Sequence, residues 1–222
     1  MKIKIVNEIE HNIKSEEIRE IIRANYFAKN TVHIIKIAND SEEKKAKENC
    51  QGTKFIYHQM VFNMIYDNFG NNRNTAKEKI TNLISWLIKK GVTCEELVII
   101  LTNDSLKKLE NIKIDKNITQ EKKDEFLEVM KKIKNEQELS KNDLVIIFNF
   151  INKVRNNFFH GTKKAEEALN KGQEERFKIY SKFLERLADK FIEIVGKEGI
   201  SLAKEVLEDD LKENLGFLKR GQ

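Results

Sequence analysis

The chain contains 222 residues, of which 40% are hydrophobic and 35% are charged, and its formal net charge is +5. This composition supports a folded core beneath a charged surface and excludes a wholly disordered chain. The sequence has no proline, which favours a mostly helical protein because a proline inside a helix costs about 3 kcal/mol. The positive charge permits a polyanionic partner but does not require one.

The cysteine and histidine patterns predict neither a disulfide nor a metal site. Cys50 and Cys94 are far apart and lie in helical patterns, so we expect free thiols in a reducing compartment. No histidines share a ligand spacing with a cysteine or carboxylate, and we expect no metal and no cofactor. The N-terminal sequence MKIKIVNEIEHN lacks the features of a signal peptide, and no apolar run could span a bilayer. The expected location is the cytoplasm, without a membrane partner.

The first third of the chain predicts two helices after a short extended segment. Residues 2–7 (KIKIVN) alternate in hydropathy and predict a short strand or an extended arm. Ser15, followed by acidic residues, predicts a helix over about 16–38. A second helix is expected over about 41–69.

The remainder of the chain also predicts helices, so the expected fold class is all-α, with the helices packed as a bundle. Thr75 begins a helix that Gly91 ends. Thr93 and Glu96 have the spacing of a capping box, which predicts another helix. One charged surface helix flanked by loops is expected within the segment 104–142, and further helices over about 141–160, 164–196 and 200–215.

We interpret residues 1–45 as an N-terminal arm or helical extension. Residues 46–222 then form the helical domain, and a single domain over the whole chain is the alternative.

The segment 141–161 (KNDLVIIFNFINKVRNNFFHG) is an apolar helix with one narrow polar side. At 100° per residue, one side of it collects a core stripe of Leu144, Ile147, Ile151, Val154 and Phe158. The opposite side collects Asn149, Asn152, Asn156 and His160, with Lys153 beside them. We call this second set the polar seam.

Val145 and Ile146 lie at the start of the polar seam, where a solvent-facing surface would not need them. Their position favours a seam that faces another surface, such as a second copy of the helix.

The end of this helix combines residue types suited to phosphate chemistry. Gly161 is a plausible helix cap, which places His160 at the negative end of the helix dipole and favours imidazolium. His160 could then exchange a proton near neutral pH, and Arg155 could hold a phosphate. Asn156 could orient the histidine or the substrate. The residues alone leave open whether this is a site or the end of a core helix.

The stretch RNNFFHG at 155–161 resembles the Arg-polar-x-x-x-His motif of HEPN domains, helical modules of bacterial and archaeal toxins and defence ribonucleases. The match covers about twelve residues, within a helical context of about 50–196. The resemblance implies an up-down, HEPN-like helical bundle in which residues 54–69 pack beside the motif helix. It also implies metal-independent RNA cleavage to a 2′,3′-cyclic phosphate.

In this family two domains pair, so the resemblance implies a homodimer with a composite active site. Arg155, His160 and Asn156 would be its catalytic residues. Asn152, Lys153, Lys163 and Lys164 are our candidates for substrate contacts. The expected partner is RNA, with a possible antitoxin or defence-system protein.

Two other interpretations stay open. The same dimer could be a non-catalytic module that binds RNA, a nucleotide or a partner protein. The polar seam could also be a purely structural network of hydrogen bonds between helices. Elsewhere, we interpret His58 as a core histidine whose hydrogen bonds are satisfied, and Trp86 as a core residue. The lysine pairs at 89–90, 107–108 and 131–132 are interpreted as solvated helix faces.

Overall fold

The computed structural model describes residues 2–4, 10–12, 17–18, 20–26, 28–29, 43–112, 118–159 and 171–220. Within these ranges, the side chains at 2–4, 10–12, 43–50, 155–159, 171–173 and 199–220 are outside the description. The described part is all-α, as predicted, apart from one pair of three-residue strands.

The two strands precede a series of helices. Strand β1 (Lys2–Lys4) pairs antiparallel with β2 (Glu10–Asn12). The described residues between 17 and 29 are helical. The longer helices are α1 (Glu43–Tyr66), α2 (Ala76–Lys89), α3 (Asn103–Glu110), α4 (Gln120–Lys134), α5 (Lys141–Phe159) and α6 (Lys171–Arg220).

Helix α2 begins and ends where the sequence predicts. The Thr75 side chain accepts from the backbone amide of Glu78, and the Glu78 carboxylate accepts from the amide of Thr75, which is a complete capping box. At the other end, Gly91 has a φ of 88° and its amide donates to Ile88, while the Val92 amide donates to Leu87. This pair of bonds is a Schellman motif, whose left-handed position favours glycine.

The prediction of a helix after Thr93 is wrong. Thr93 and Glu96 do form the reciprocal bonds of a capping box, at 2.9 and 3.4 Å. The chain then makes only a 3₁₀ turn over Glu95–Leu97 and continues extended. The reason is tertiary: Val98 is buried, and its carbonyl accepts a 2.6 Å hydrogen bond from Arg186 of α6. That contact replaces the bond a helix would have supplied.

Two other predicted boundaries differ from the structure. The segment 104–142 contains two helices, α3 and α4, each begun by a threonine whose hydroxyl accepts a backbone hydrogen bond. The predicted break between 196 and 200 is wrong, because α6 continues through Gly196. One glycine inside a helix costs only about 1 kcal/mol, which the buried contacts of α6 outweigh.

The helices enclose one core of mostly aromatic and branched residues. Helix α1 packs along α6, α5 packs against α2, α4 and α1, and α3 packs against α4 and α6. Phe69, Trp86 and Phe191 form a cluster with ring centroids 5.4–6.1 Å apart. Trp86 is fully buried, which confirms its core assignment. None of the helices that the structure describes has the length and apolarity needed to cross a membrane.

The helical residues near the N-terminus contact α6. Ile21 and Ala28 are buried, and the Lys29 ammonium binds Asp189 at 2.6 Å. Asn25 donates to the same carboxylate at 3.0 Å. The division into residues 1–45 and 46–222 stays a prediction, as does the up-down HEPN-like topology.

Candidate functional site

Helices α4 and α5 form a helical hairpin, which positions the candidate site. Near its loop, the Lys132 ammonium lies 3.0 Å from an Asp143 oxygen. In the middle, the Phe126 and Phe150 rings stack with centroids 4.0 Å apart. At the open end, Lys122 faces Lys153 across a shared groove. Because residue numbers fall on α4 as they rise on α5, the two helices run antiparallel.

A hydrogen-bonded cap fixes the first turn of α5. The Asp143 carboxylate accepts from the Ser140 amide at 2.8 Å and from its hydroxyl at 2.7 Å. Burial alone would raise the pKa of Asp143, but the bonds from Ser140 and Lys132 outweigh it and lower that pKa. The prediction that Ser140 begins this helix is therefore confirmed.

The apolar side of α5 is buried as predicted. Leu144, Ile147 and Ile151 are fully buried, and Val154 is half-buried against the same core. The Phe62 and Phe148 rings lie 5.7 Å apart across the contact between α1 and α5. The expectation that residues 54–69 pack beside the motif helix is thus confirmed for α1. The side chain of Phe158 is outside the described residues.

The opposite side of α5 opens into a groove of about 170 Å³ between α2, α4 and α5. We call it the lysine groove. Its lining consists of Lys77, Lys122, Glu125, Asn142, Val145, Ile146, Asn149, Phe150 and Lys153. Asn149 and Lys153 come from the predicted polar seam, so part of that seam faces an open groove.

The lysine groove is cationic, with three ammonium groups and one carboxylate among its lining side chains. Lys153 is half-buried, and burial lowers its pKa, followed by the positive charges of Lys122 and Lys77. Glu125 acts in the opposite direction. The lowered pKa of Lys153 therefore reflects its partial burial and the nearby ammonium groups of Lys122 and Lys77.

Two of the lysines lie in the first turns of helices. Lys77 is the second residue after the Thr75 cap of α2, and Lys122 is the third after the Thr119 cap of α4. The positive end of the helix dipole favours anions there and disfavours cations, by about 0.3–1 kcal/mol. Sequence reasoning missed both lysines, although a lysine in the first turn after a capping threonine is a signal that could have identified them.

Asn152 belongs to the polar seam on the helical wheel but faces the interior. It is 6% exposed, and its Oδ1 accepts a 3.0 Å hydrogen bond from Nε2 of Gln59 on α1. Asn149 is half-buried, and its amide donates to the Val145 carbonyl of its own helix. Asn152 therefore ties two helices together, while Asn149 is left beside the groove.

The remaining candidate residues are at or beyond the end of the described helix. The backbone of Arg155 and Asn156 is helical, but their side chains are outside the description. His160, Lys163 and Lys164 are outside the described residues altogether. The structure therefore brings together Lys153 and Asn149, and it adds Lys77 and Lys122.

The positions of Val145 and Ile146 do not indicate a second copy of the chain. Val145 is 6% exposed in the single chain, so its burial needs no partner. Ile146 is half-buried and lines the lysine groove. The homodimer consequently rests on the family resemblance alone.

His58 is buried in the core, as predicted, but the prediction that its hydrogen bonds are satisfied is wrong. It is 1% exposed, and neither ring nitrogen has a hydrogen-bond partner among the described residues. Burial, followed by the charges of Lys54 and Lys29, lowers its pKa to about 3. The imidazole is therefore neutral at pH 7, and the 3.9 Å separation from a Glu185 oxygen is neither an ion pair nor a hydrogen bond.

Comparison with known proteins found no match: no family model, no curated protein and no solved structure is similar to the chain. Across the described ranges, no group of three histidine, cysteine or acidic side chains could hold a metal ion. The candidate site is therefore defined by the geometry of α5 and its groove.

Proposed function

We propose that the protein is a metal-independent endoribonuclease of HEPN type, with a composite active site formed by two copies of the chain. The observation that carries the proposal is the lysine groove along α5. The same helix carries Arg155 and Asn156 and leads directly into His160. A cationic groove along the same helix attracts the RNA backbone.

The proposed chemistry is transfer within the RNA strand. The ribose 2′-oxygen attacks the adjacent phosphorus, the bond from phosphorus to the 5′-oxygen breaks, and a 2′,3′-cyclic phosphate forms. His160 takes the proton of the 2′-hydroxyl or gives one to the leaving 5′-oxygen, and two copies supply one histidine for each task. Arg155 stabilises the charge that develops on the phosphate, and Asn156 orients the reacting groups. Lys163 and Lys164 would add phosphate contacts.

The biological role we propose is that of a toxin or antiviral defence effector, located in the cytoplasm. Its partners would be RNA, a second copy of the chain, and an antitoxin or defence-system protein. The support for this role is the resemblance of residues 155–161 to toxin and defence ribonucleases.

A cleavage assay tests the proposal directly. Wild type and His160→Ala are incubated with mixed cellular RNA in EDTA, and the products are examined for cyclic phosphate ends. His33→Ala is the matched control, since it removes a histidine outside the motif. We expect wild type and the control to cut and His160→Ala to be inactive. Equal cutting by all three proteins would refute the assignment of His160.

The second candidate is a non-catalytic helical dimer that binds RNA, a nucleotide or a partner protein. The buried bond between Gln59 and Asn152 removes one candidate substrate contact from the polar seam, because that part of the seam serves packing. Under this hypothesis the wild type binds RNA through the lysine groove and leaves it intact. Light scattering of the purified chain tests the dimer that both candidates require.

A further inference from the structure

Within the described ranges, some lysines form close ion pairs and others, among them the three of the lysine groove, form none. Lys108, Lys132 and Lys190 each form an ion pair of 3.0 Å or less. By contrast, within the described ranges no carboxylate oxygen lies within 4.0 Å of the ammonium groups of the three groove lysines, Lys77, Lys122 and Lys153.

The three lysines converge although only one carboxylate, that of Glu125, lines the groove with them. Two lie at the positive ends of helix dipoles, and the third is half-buried beside them. Each first turn also carries a glutamate, but Glu78 is bound back to the Thr75 amide at 2.6 Å. An arrangement that costs free energy in the empty protein is typical of a site for a ligand of opposite charge.

We propose that the lysine groove binds a backbone phosphate of single-stranded RNA, with Lys77, Lys122 and Lys153 as its cationic contacts. Lys77 and Lys122 lie in the first turns of α2 and α4, so the N-terminal ends of two helices border the groove, where the helix dipole favours an anion. The space of about 170 Å³ is far larger than a single water needs. Asn142 and Asn149 supply amide groups that can donate to phosphate or sugar oxygens.

The groove residues are separate from the residues proposed for catalysis, which follow them in the sequence. Lys153 precedes the end of α5 at Phe159 by six residues, or about 9 Å along the helix axis. The groove would therefore hold a phosphate next to the one that reacts, and position the strand for cleavage. The choice of RNA as ligand rests on the proposed function.

The test compares two double variants with the same change in net charge. The groove variant is Lys77→Gln/Lys122→Gln. The control is Lys89→Gln/Lys131→Gln, which changes exposed lysines in the last turns of the same two helices. Both are made in a His160→Ala chain to prevent cleavage. Fluorescence anisotropy then measures the Kd for a short labelled single-stranded RNA at several salt concentrations.

We expect the groove variant to bind RNA about tenfold more weakly or worse at 0.1 M salt, and the control to stay within about twofold of the parent. The plot of log K against log salt should also be less steep by about 0.7, because the one phosphate held in the groove contributes about 0.7 on a single strand. Circular dichroism confirms that both variants are folded.

Three results would overturn the proposal: equal affinity of the groove and control variants, no RNA binding by the parent, or equal competition from an acidic peptide of matched charge. The outcomes also separate this inference from the proposed activity. If wild type cuts no RNA but the groove variant loses RNA binding, the proposed ribonuclease activity is refuted and the proposed RNA binding by the groove is supported. If wild type cuts RNA and the two variants bind RNA equally well, the proposed RNA binding by the groove is refuted and the proposed ribonuclease activity is supported.

Discussion

Gln59 of α1 donates a 3.0 Å hydrogen bond to Asn152 of α5 in the buried contact between the two helices. We expect Asn152→Ala to lower the free energy of unfolding by about 1–2 kcal/mol, since a buried donor loses its acceptor. RNA affinity of the folded protein should be unchanged. Urea denaturation and anisotropy measure the two effects. In Asn149→Ala, the lost bond lies within one helix, so its effect on stability should be smaller. A loss of RNA affinity in Asn152→Ala without a loss of stability would contradict this assignment.

His58 should make stability depend on pH. Its pKa is about 3 in the folded chain and 6.5 for the unperturbed group, so between these values the unfolded state binds more protons. The stabilisation is complete above pH 6.5 and is lost as pH falls towards 3, at up to about 1.4 kcal/mol per unit.

We therefore expect wild type to lose about 2 kcal/mol from this group between pH 7.5 and 5.0, a window above the ordinary pKa of carboxylates. Urea denaturation of wild type and His58→Leu at both pH values isolates the contribution. An identical pH dependence in the two proteins would mean that His58 is charged or solvated in the folded chain.

Substitution of alanine for two glycines should change the stability of the protein in opposite directions. Gly91 has a φ of 88°, and nothing lies within 4 Å of an added Cβ, so Gly91→Ala is expected to destabilise by about 1–2 kcal/mol through backbone strain alone. Gly196 lies inside α6 with equally open space. Gly196→Ala should therefore stabilise by about 0.5–1 kcal/mol. Thermal unfolding measures both variants. A loss of stability in Gly196→Ala would indicate a bend in α6 at that position.

Asp143 should be the most sensitive cap in the hairpin of α4 and α5. It receives both bonds from Ser140 and the contact from Lys132 while only 4% exposed. We expect Asp143→Ala to lower the free energy of unfolding by about 1–2 kcal/mol. Asp104→Ala removes a similar first-turn aspartate, paired at the surface with Lys108. Its effect should be barely measurable. Equal losses in the two variants would contradict the role of burial.

Local signals in the sequence predicted much of the fold. A helix begins after Thr75 and another after Ser140, and a helix ends before Gly91, as the chemistry of these residues requires. The failures lie where distant contacts decide the outcome. The capping box at Thr93 is real but leads into an extended segment held by Arg186, which is 88 residues away from Val98. No local pattern contains that contact.

The candidate site was only partly predictable. The helical wheel placed Asn149 and Lys153 on the open side of α5, as the structure shows. It grouped Asn152 with them, although α1 covers that edge of the helix. Lys77 and Lys122 come from α2 and α4, and only the packing of three helices brings them to Lys153. A single helix carries no information about what its neighbours contribute.

The hairpin of α4 and α5 also has a consequence for how the protein folds and opens. Its contacts join residues 11, 24 and 31 positions apart in the chain, from Lys132–Asp143 through Phe126–Phe150 to Lys122–Lys153. Short loops close at the least entropic cost. The contacts of the hairpin should therefore form first beside its loop and last at its open end. Its last contact is a repulsion between ammonium groups, which gives the open end the lowest local stability. Hydrogen exchange should therefore be faster at the open end, around Lys122 and Lys153, than around the stacked Phe126 and Phe150.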